Sequence, residues 1–274
     1  MTFIELLIAL LFGLVEGITE WLPISSTGHM ILLDEFVKLT SNKDFNNMFF
    51  VVVQLGAIMA VVVIFWDKIF PFKKKESKFY VDMGIMDLWF HIVVAVLPAV
   101  AASVFDDWFE EHLNTFPVVA AMLILYGIIF IVIEKWNKGR TAKVNSLKDI
   151  TYTTALIIGL FQVLAIVPGT SRSGATIIGA LLIGVSRTVA AEFTFYLAIP
   201  VMFGASALKL LKFGFVFSTS ELLILVVGMI TAFAVSMFVI KFLMGYIKKH
   251  DFTVFGYYRI VLGIILLGYL FGVK

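Results

Sequence analysis

The sequence predicts an all-α membrane protein that crosses the bilayer several times, and three observations lead to this fold class. Of its 274 residues, 61% are hydrophobic and 15% are charged, and the mean hydropathy is +1.03. Soluble domains are about 45–50% apolar and about 25% charged. Apolar stretches of spanning length recur along the chain, and two longer ones are interrupted at proline. A water-soluble enzyme of this size could not bury so many apolar side chains.

Six continuous apolar stretches are long enough to span a membrane, which takes about 20 mostly apolar residues. They cover residues 48–66, 88–105, 116–133, 190–210, 222–243 and 254–272. The N-terminal stretch, residues 1–11, lacks a basic region and a small-residue cleavage site, so we expect a retained helix there. The absence of cysteine excludes disulfides, thiolate metal sites and cysteine nucleophiles. The net charge of +2 is spread over short loops, which argues against nucleic acid as a partner.

Two further apolar regions, residues 2–36 and 152–185, are each broken near the middle. The first break falls at Pro23 and the second at Pro168 and Gly169. Proline lacks a backbone donor and clashes with the carbonyl four residues back, so each break ends a helix. A break at membrane depth is tolerated only where protein buries it or where it lines a wet cavity. We therefore predict two broken re-entrant helical hairpins in addition to the six spanning helices.

Charge in the loops predicts the orientation. Loops 67–86 and 134–150 carry five basic residues each, whereas loop 106–115 has four acidic residues and neither lysine nor arginine. By the positive-inside rule the two basic loops are cytoplasmic and the acidic loop faces outward. Lys241, Lys248 and Lys249 place the loop near His250 on the inside as well. With two re-entrant hairpins, the halves of the chain then have opposite orientations.

An internal repeat agrees with this topology. At a constant offset of 146, residues 13–16 (Gly-Leu-Val-Glu) match 159–162 (Gly-Leu-Phe-Gln), and residues 25–28 (Ser-Ser-Thr-Gly) match 171–174 (Ser-Arg-Ser-Gly). Each match flanks a break. We predict a single integral membrane domain, residues 1–274, made of two inverted repeats at about 1–140 and 147–274. Such an arrangement would bring the two breaks together near the midplane.

The first break carries two carboxylates and a short run of hydroxyl groups. Glu16 and Glu20 are four residues apart, so on a helix they share a face. Paired carboxylates inside an apolar segment are costly unless they bind a cation, share a proton or meet an arginine. Beyond Pro23, Ser25 or Ser26 can cap a helix whose free N–H groups form an anion site, and His29 follows.

The second break carries an arginine among hydroxyl groups. Gly169 lets the backbone approach a ligand, and Ser171 is suited to cap the helix that follows. Arg172 in the first turn of that helix is electrostatically misplaced unless an anion is present. With the hydroxyl groups of Ser173 and Thr176, these residues predict a phosphate site.

Structural interpretations of the same residues stay open at this point. Small and hydroxyl residues often allow close helix packing, and a Glu–Arg pair can be a structural salt bridge. Ionisable groups inside a membrane are nevertheless functional by default. Outside the two motifs, we expect His91 to be an interfacial or bonded histidine, and Gln54 and Glu192 to line a cavity or bond between helices. We expect Arg187 and Arg259 to anchor at the cytoplasmic boundary.

The two motifs resemble those of the bacterial undecaprenyl-diphosphate phosphatase family, also known as bacitracin-resistance proteins. Residues 16–20 fit the glutamate-rich motif of that family, and residues 168–176 fit its Pro-Gly-x-Ser-Arg-Ser-x-x-Thr signature. Trp21 stands where phenylalanine is expected. The resemblance implies a plasma-membrane enzyme with an outward-facing site that hydrolyses undecaprenyl diphosphate to the monophosphate. It also implies dependence on a divalent cation, Mg²⁺ or Ca²⁺.

The motifs and the resemblance together lead to a mechanistic hypothesis. Arg172 clamps the phosphate oxygens, and Glu16 and Glu20 hold the cation. Ser26 is the candidate nucleophile, with His29 as its base or as the acid for the leaving group. In the rival scheme water attacks, activated by His29 or by a glutamate. The substrate-binding candidates are Ser25, Thr27, Gly169, Ser171, Ser173, Gly174 and Thr176.

One alternative function is a secondary transporter or flippase for an anionic or lipid-phosphate substrate, because such proteins also use inverted repeats and broken helices. A second lipid phosphatase superfamily is discounted, because it needs a later arginine and a His–Asp pair. After Arg187 the first histidine is His250, followed directly by Asp251. The sequence leaves the oligomeric state undetermined, and a homodimer is compatible with it.

Overall fold

The computed structural model describes residues 3–40, 42–75 and 78–273, and these residues form thirteen α-helices, three short 3₁₀ turns and one β-hairpin. Thr2, the predicted start of the first broken region, lies outside the described residues, as do the side chains of Lys75, Asp107 and Glu110. The helices are α1 Phe3–Thr19, α2 Ser26–Phe36, α3 Lys43–Val52, α4 Gln54–Ile64, α5 Trp66–Ile69, α6 Met83–Ala102, α7 Asp106–Leu113, α8 Phe116–Asn137, α9 Tyr152–Val163, α10 Arg172–Leu182, α11 Arg187–Phe213, α12 Thr219–Tyr246 and α13 Thr253–Val273.

Six helical segments are long and apolar enough to cross a membrane, as the hydropathy pattern predicts. They are Lys43–Ile64, Met83–Phe105, Phe116–Asn137, Arg187–Phe213, Thr219–Tyr246 and Thr253–Gly272. The first of them is formed by α3 and α4, which join at Val53. The chain is therefore a multi-pass membrane protein with an all-α core.

Both interrupted regions are broken where the sequence indicates. α1 ends at Thr19, four residues before Pro23, and α2 begins at Ser26. In the second region α9 ends at Val163, and α10 begins at Arg172 after a 3₁₀ turn. Each region is thus a pair of short helices joined by a few non-helical residues.

The loops contain secondary structure that hydropathy does not predict. The basic loop after α5 folds into an antiparallel β-hairpin of β1 Phe72–Lys75 and β2 Lys78–Val81. The acidic loop contains α7, on which Trp108 is exposed. These two elements lie at opposite ends of α6, because that helix connects them along 20 residues.

Three helix pairs each combine one helix from the first half of the chain with one from the second half. α1 packs on α12, α9 packs on α6, and α8 packs on α13. Glycine permits the close approach in the first two pairs. A Cβ at Gly13 would lie 2.4 Å from the Gly228 carbonyl oxygen, and one at Gly159 would lie 2.2 Å from the Ala95 carbonyl oxygen. These close crossings pack α1 and α9, the first helices of the two interrupted regions, directly on helices from the other half of the chain.

Candidate active site

The site is built where the two chain breaks meet, and each break presents the same local geometry. Ser25 caps α2 with φ 75°, and Ser171 caps α10 with φ 73°. Each hydroxyl oxygen accepts a hydrogen bond from the backbone N–H three residues on, at 3.3 Å from Gly28 and 3.1 Å from Gly174. Left-handed conformations are costly outside glycine, so the surrounding structure holds both serines in place. The first residues of the two capped helices are Ser26 and Arg172.

The Glu20 side chain connects these two residues. Ser26 Oγ donates to Glu20 Oε2 at 2.6 Å, and Arg172 Nη2 donates to Glu20 Oε1 at 2.8 Å. The Ser173 hydroxyl donates to the Glu20 carbonyl oxygen at 3.2 Å. One carboxylate in the first break therefore holds a hydroxyl from its own hairpin and a guanidinium from the other.

Two adjoining cavities open beside this cluster. The smaller has a volume of about 120 Å³ and is lined by Glu20, Ser26, Gly169 and the predicted residues 171–173. The larger, of about 420 Å³, has Glu16 in its wall together with Asp106 and Asn114 from the end of the bundle that carries the acidic loop. The residues that line both are Thr27, Gln54, Ala165, Pro168 and Ala205. A ligand entering between the acidic loop and α11 would meet Glu16, Ser26 and Arg172.

Glu16 offers two carboxylate oxygens that could act as ligands of a cation. Its side chain is wholly buried beside that of Glu20, and its carboxylate oxygens accept no hydrogen bond from any other described residue. A buried carboxylate without a partner is expensive, so an oxygen-preferring cation fits here. Within the described residues no cluster of three or more acidic or histidine side chains is arranged for a metal. The protein ligands available are therefore Glu16 and Glu20, with the Gln54 amide and the Ser26 hydroxyl nearby.

The described hydrogen bonds of His29 are made to Ser25 and Tyr258 and not to Ser26, its predicted partner. His29 Nδ1 lies 2.7 Å from the Ser25 carbonyl oxygen, and Nε2 lies 2.7 Å from the Tyr258 hydroxyl, with the two rings stacked. The carbonyl only accepts, so Nδ1 carries a proton and Nε2 of the neutral ring accepts from Tyr258. Both ring nitrogens are therefore engaged away from the cleft, and the acceptor beside Ser26 is Glu20.

Three of the predicted substrate-binding residues lie behind the cavities rather than in their walls. Thr176 is wholly buried and donates to the backbone of its own helix while accepting from Thr194, so it packs α10 on α11. Gly174 lies against Ser171 and the guanidinium of Arg259. The Ser25 hydroxyl oxygen serves as the helix cap. These residues shape the breaks and leave the cavity walls to the other candidates.

The prediction that Arg259 anchors at the cytoplasmic boundary is wrong. Arg259 is wholly buried and donates to the carbonyl oxygens of Pro23 (3.1 Å), Gly169 (2.8 Å) and Thr170 (2.9 Å). Its side chain points inward because the two breaks leave carbonyl groups that need donors. The signal available in the sequence was an arginine inside an apolar span, which the membrane rule assigns to the bundle interior.

The other polar residues noted in the sequence lie at the opposite end of the bundle or in the cavity wall. Arg187 pairs with the buried Glu134 beside a basic loop. Glu192 accepts from Lys68 at 2.7 Å and from Tyr196 at 2.5 Å, so it bonds between elements. Gln54 lines both cavities. His91 is a bonded histidine, as expected: its Nδ1 lies 2.7 Å from the Asp87 carbonyl oxygen and its ring stacks on Tyr152.

Comparison with known proteins identifies the family of the chain. The profile of a family described as "Bacitracin resistance protein BacA" matches residues 9–265. A protein of Enterococcus faecalis named undecaprenyl-diphosphatase is 64% identical over 267 residues, which cover 97% of each chain. Proteins with the same name from Lachnoclostridium phytofermentans and Desulfitobacterium hafniense are 61% and 60% identical. The alignments cover 98% of this chain in both cases, and 98% and 97% of the two relatives.

Proposed function

The chain belongs to the bacitracin resistance protein BacA family, and on this premise we propose that it hydrolyses undecaprenyl diphosphate to undecaprenyl phosphate and inorganic phosphate. This reaction recycles the lipid carrier for cell-wall synthesis. The observation that carries the proposal is the junction of Ser26, Glu20 and Arg172 at a cavity inside a membrane protein. A phosphoryl-transfer site needs a nucleophile, a proton acceptor and a cationic clamp, and the junction supplies all three.

Arg172 is the clamp for the phosphate oxygens. A guanidinium has five N–H donors, and the described contacts of Arg172 use Nη2 for Glu20 and Nη1 for the Thr194 carbonyl oxygen. The Arg172 guanidinium therefore keeps further N–H donors for a phosphate in the cavity that Arg172 lines. The Ser173 hydroxyl lies beside it, together with the N-terminal end of α10, which favours an anion.

Ser26 is the nucleophile and Glu20 is its base. The 2.6 Å hydrogen bond already directs the hydroxyl proton toward the carboxylate. Attack of Ser26 Oγ on the terminal phosphorus forms a phosphoserine as the bond to the bridging oxygen breaks. The electron pair of that bond leaves with undecaprenyl phosphate, and the hydroxyl proton passes to Glu20. Water then hydrolyses the phosphoserine, which releases inorganic phosphate and restores Ser26.

In the competing scheme water attacks the terminal phosphorus directly. Glu20 again takes the proton, and Ser26 remains a hydroxyl that binds the substrate. Both schemes leave His29 outside the first proton transfer, because its ring nitrogens bond to Ser25 and Tyr258. His29 then supports the cap of α2 on which Ser26 is carried.

The divalent cation, Mg²⁺ or Ca²⁺, belongs at Glu16 and Glu20. The burial of Glu16 beside Glu20 supports this assignment, since positive charge stabilises two neighbouring buried carboxylates. When bound, the ion would neutralise charge on the diphosphate.

The repeat architecture is part of the proposal. The matching caps at Ser25 and Ser171 support two inverted repeats, and so does the exchange of partners in the pairs α1–α12 and α9–α6. In this arrangement each hairpin enters the bilayer from its own side, and the two breaks meet inside. Ser26 and Arg172 are then equivalent positions that have taken different chemical roles.

The active site faces outward from the bacterial plasma membrane. The larger cavity is lined by Asp106, Asn114, Lys209 and Lys212 at the end that carries the acidic loop, whereas the two loops with five basic residues each lie at the other end. Lysine and arginine collect on the cytoplasmic side, so the cavity opens on the outer side. The diphosphate headgroup would enter there, with its tail among the apolar side chains.

Phosphate release from undecaprenyl diphosphate by the detergent-purified protein tests the function directly. We expect release by the wild type with Mg²⁺ or Ca²⁺, and its loss in Arg172→Ala and with a chelator. A folded wild type that releases no phosphate under either ion would contradict the proposal. The transporter alternative predicts that outcome, because a transporter breaks no bond; the named relatives favour the phosphatase.

A further inference from the structure

A single arginine outside the catalytic set contacts both chain breaks. Arg259, on α13, is 0% exposed, and its guanidinium lies among carbonyl oxygens of three chain segments. Nη1 donates to Pro23 in the first break, at 3.1 Å, and Nη2 donates to Gly169 and Thr170 in the second, at 2.8 and 2.9 Å. Longer contacts of 3.4 and 3.5 Å reach the carbonyl oxygens of residues 122 and 123 on α8.

The electrostatics of this position are unusual for a buried cation. None of the ion pairs within the described part of the chain includes Arg259. Arginine keeps its charge in proteins, and burying it without a carboxylate is costly unless its donors are bonded. Backbone carbonyl dipoles therefore solvate this charge. A helix break leaves these carbonyl groups without a backbone N–H donor. The guanidinium supplies the donors that the carbonyl groups need, and the carbonyl groups supply the acceptors that the buried guanidinium needs.

The bonded carbonyl groups lie within a few residues of the reacting groups. Pro23 stands between Glu20 and Ser26, and Thr170 stands two residues before Arg172. We infer that Arg259 is a positioning residue: its fork fixes both breaks to each other and so sets the position of Ser26 relative to Arg172. This inference rests on the proposed function, because it concerns the geometry of that same site.

Arginine is required because of the shape of its side chain. A planar fork bonds two loops at once in fixed directions, whereas a lysine ammonium is a point charge that can favour one of them. Gly174 lies against the guanidinium, and the space around it is also limited. A Cβ at Gly174 would lie 3.2 Å from Ser171 Cβ and 3.3 Å from Arg259 Nη1, so glycine leaves room for both the cap serine and the guanidinium.

The test compares Arg259→Lys with Arg187→Lys. Arg187 is a matched control because it also bonds a buried group, Glu134, but at the opposite end of the bundle. For Arg259→Lys we expect kcat to fall by about 10- to 100-fold, since misplacement by about 1 Å has that effect. KM should stay within about threefold, because the groups that bind the substrate are still present. Arg187→Lys should leave kcat within about twofold while lowering the midpoint of thermal unfolding.

A distance measurement makes the test independent of activity. The chain has no cysteine, so spin labels can be placed at Glu35→Cys on α2 and Leu182→Cys on α10, the helices that carry Ser26 and Arg172. Double electron–electron resonance should give a broader distance distribution in Arg259→Lys than in the wild type or in Arg187→Lys. If Arg259→Lys does not fold, Arg259→Gln, which also lacks the guanidinium fork, should broaden the distribution in the same way.

Unchanged distance distributions together with kcat close to that of the wild type would overturn the inference. So would a lower unfolding temperature with normal kcat and normal distances, because the role would then be stability alone. An inactive wild type whose distribution broadens on Arg259→Lys would refute the phosphatase and leave the positioning role intact. The two proposals therefore fail in distinguishable ways.

Discussion

Glu20 and Arg172 form an ion pair of 2.8 Å between the two chain breaks, and their side chains are only 7% and 14% exposed. Breaking a buried pair on one side leaves an uncompensated charge, so this contact joins the two hairpins as well as serving the chemistry. Its position beside the Ser26 hydroxyl means that a phosphate in the cavity shares the guanidinium with Glu20. The effects of substitution at these residues follow from that geometry.

Substitutions of Arg172 should show whether its positive charge is sufficient for activity or whether the planar guanidinium is required. We expect Arg172→Ala to lower kcat/KM by about 10³-fold or more, as for other arginines that stabilise phosphoryl transfer. Arg172→Lys should not restore activity, since an ammonium lacks the bidentate fork. Phosphate release and thermal unfolding measured in parallel distinguish catalysis from folding. A lysine variant with near-normal turnover would refute the clamp.

Ser26→Ala distinguishes the two attack schemes. If Ser26 is the nucleophile, the variant should lose about 10³-fold or more in kcat, and acid quenching of the wild type with substrate labelled in the terminal phosphate should trap a labelled protein. Glu20→Gln should also be inactive, because the 2.6 Å acceptor of the serine proton is lost. Activity of Ser26→Ala within about tenfold of wild type, with no trapped label, would establish attack by water.

Glu16→Gln should weaken the cation dependence. The substitution removes a buried carboxylate with no protein partner, and we expect the concentration of Mg²⁺ or Ca²⁺ that gives half-maximal activity to rise by about tenfold or more. Asp149→Asn is the matched control, because that carboxylate caps a 3₁₀ turn in a basic loop far from the cavities. An unchanged cation requirement in Glu16→Gln would show that Glu16 is not a ligand of the ion.

Gly56→Ala tests the packing of α4 on α12. A Cβ at residue 56 would lie 2.1 Å from the Met229 carbonyl oxygen, so the helices must separate. We expect a loss of about 1–3 kcal/mol in the free energy of unfolding, the usual range for overpacking. Gly204→Ala, where nothing lies within 4 Å, should be neutral or slightly stabilising. Thermal unfolding of both purified variants checks the pair, and equal midpoints would contradict the described packing.

The orientation can be tested with single cysteines in the cysteine-free chain. His112→Cys lies on α7 in the acidic loop, and Lys78→Cys lies in the β-hairpin of the basic loop. A membrane-impermeant maleimide added to intact cells should label the first and leave the second unlabelled until the cells are permeabilised. The reverse pattern would place the cavity mouth on the cytoplasmic side.

The sequence by itself determined the membrane class, the six spans, the positions of the two breaks and the residues of the two motifs. These features are local, because span length, a proline inside an apolar region and the charge of a loop depend on neighbouring residues. Glu20, Ser26 and Arg172 were therefore identifiable as site residues before any contact between them was known.

Only the tertiary structure decided which of these groups meet. Ser26 bonds Glu20 rather than His29, Thr176 lies behind the site, and Arg259 joins the two breaks instead of anchoring at the boundary. Each outcome depends on where a side chain points once helices distant in the chain are packed together. A hydropathy pattern places a residue at a depth in the membrane, but the carbonyl groups and carboxylates that surround it come from other segments.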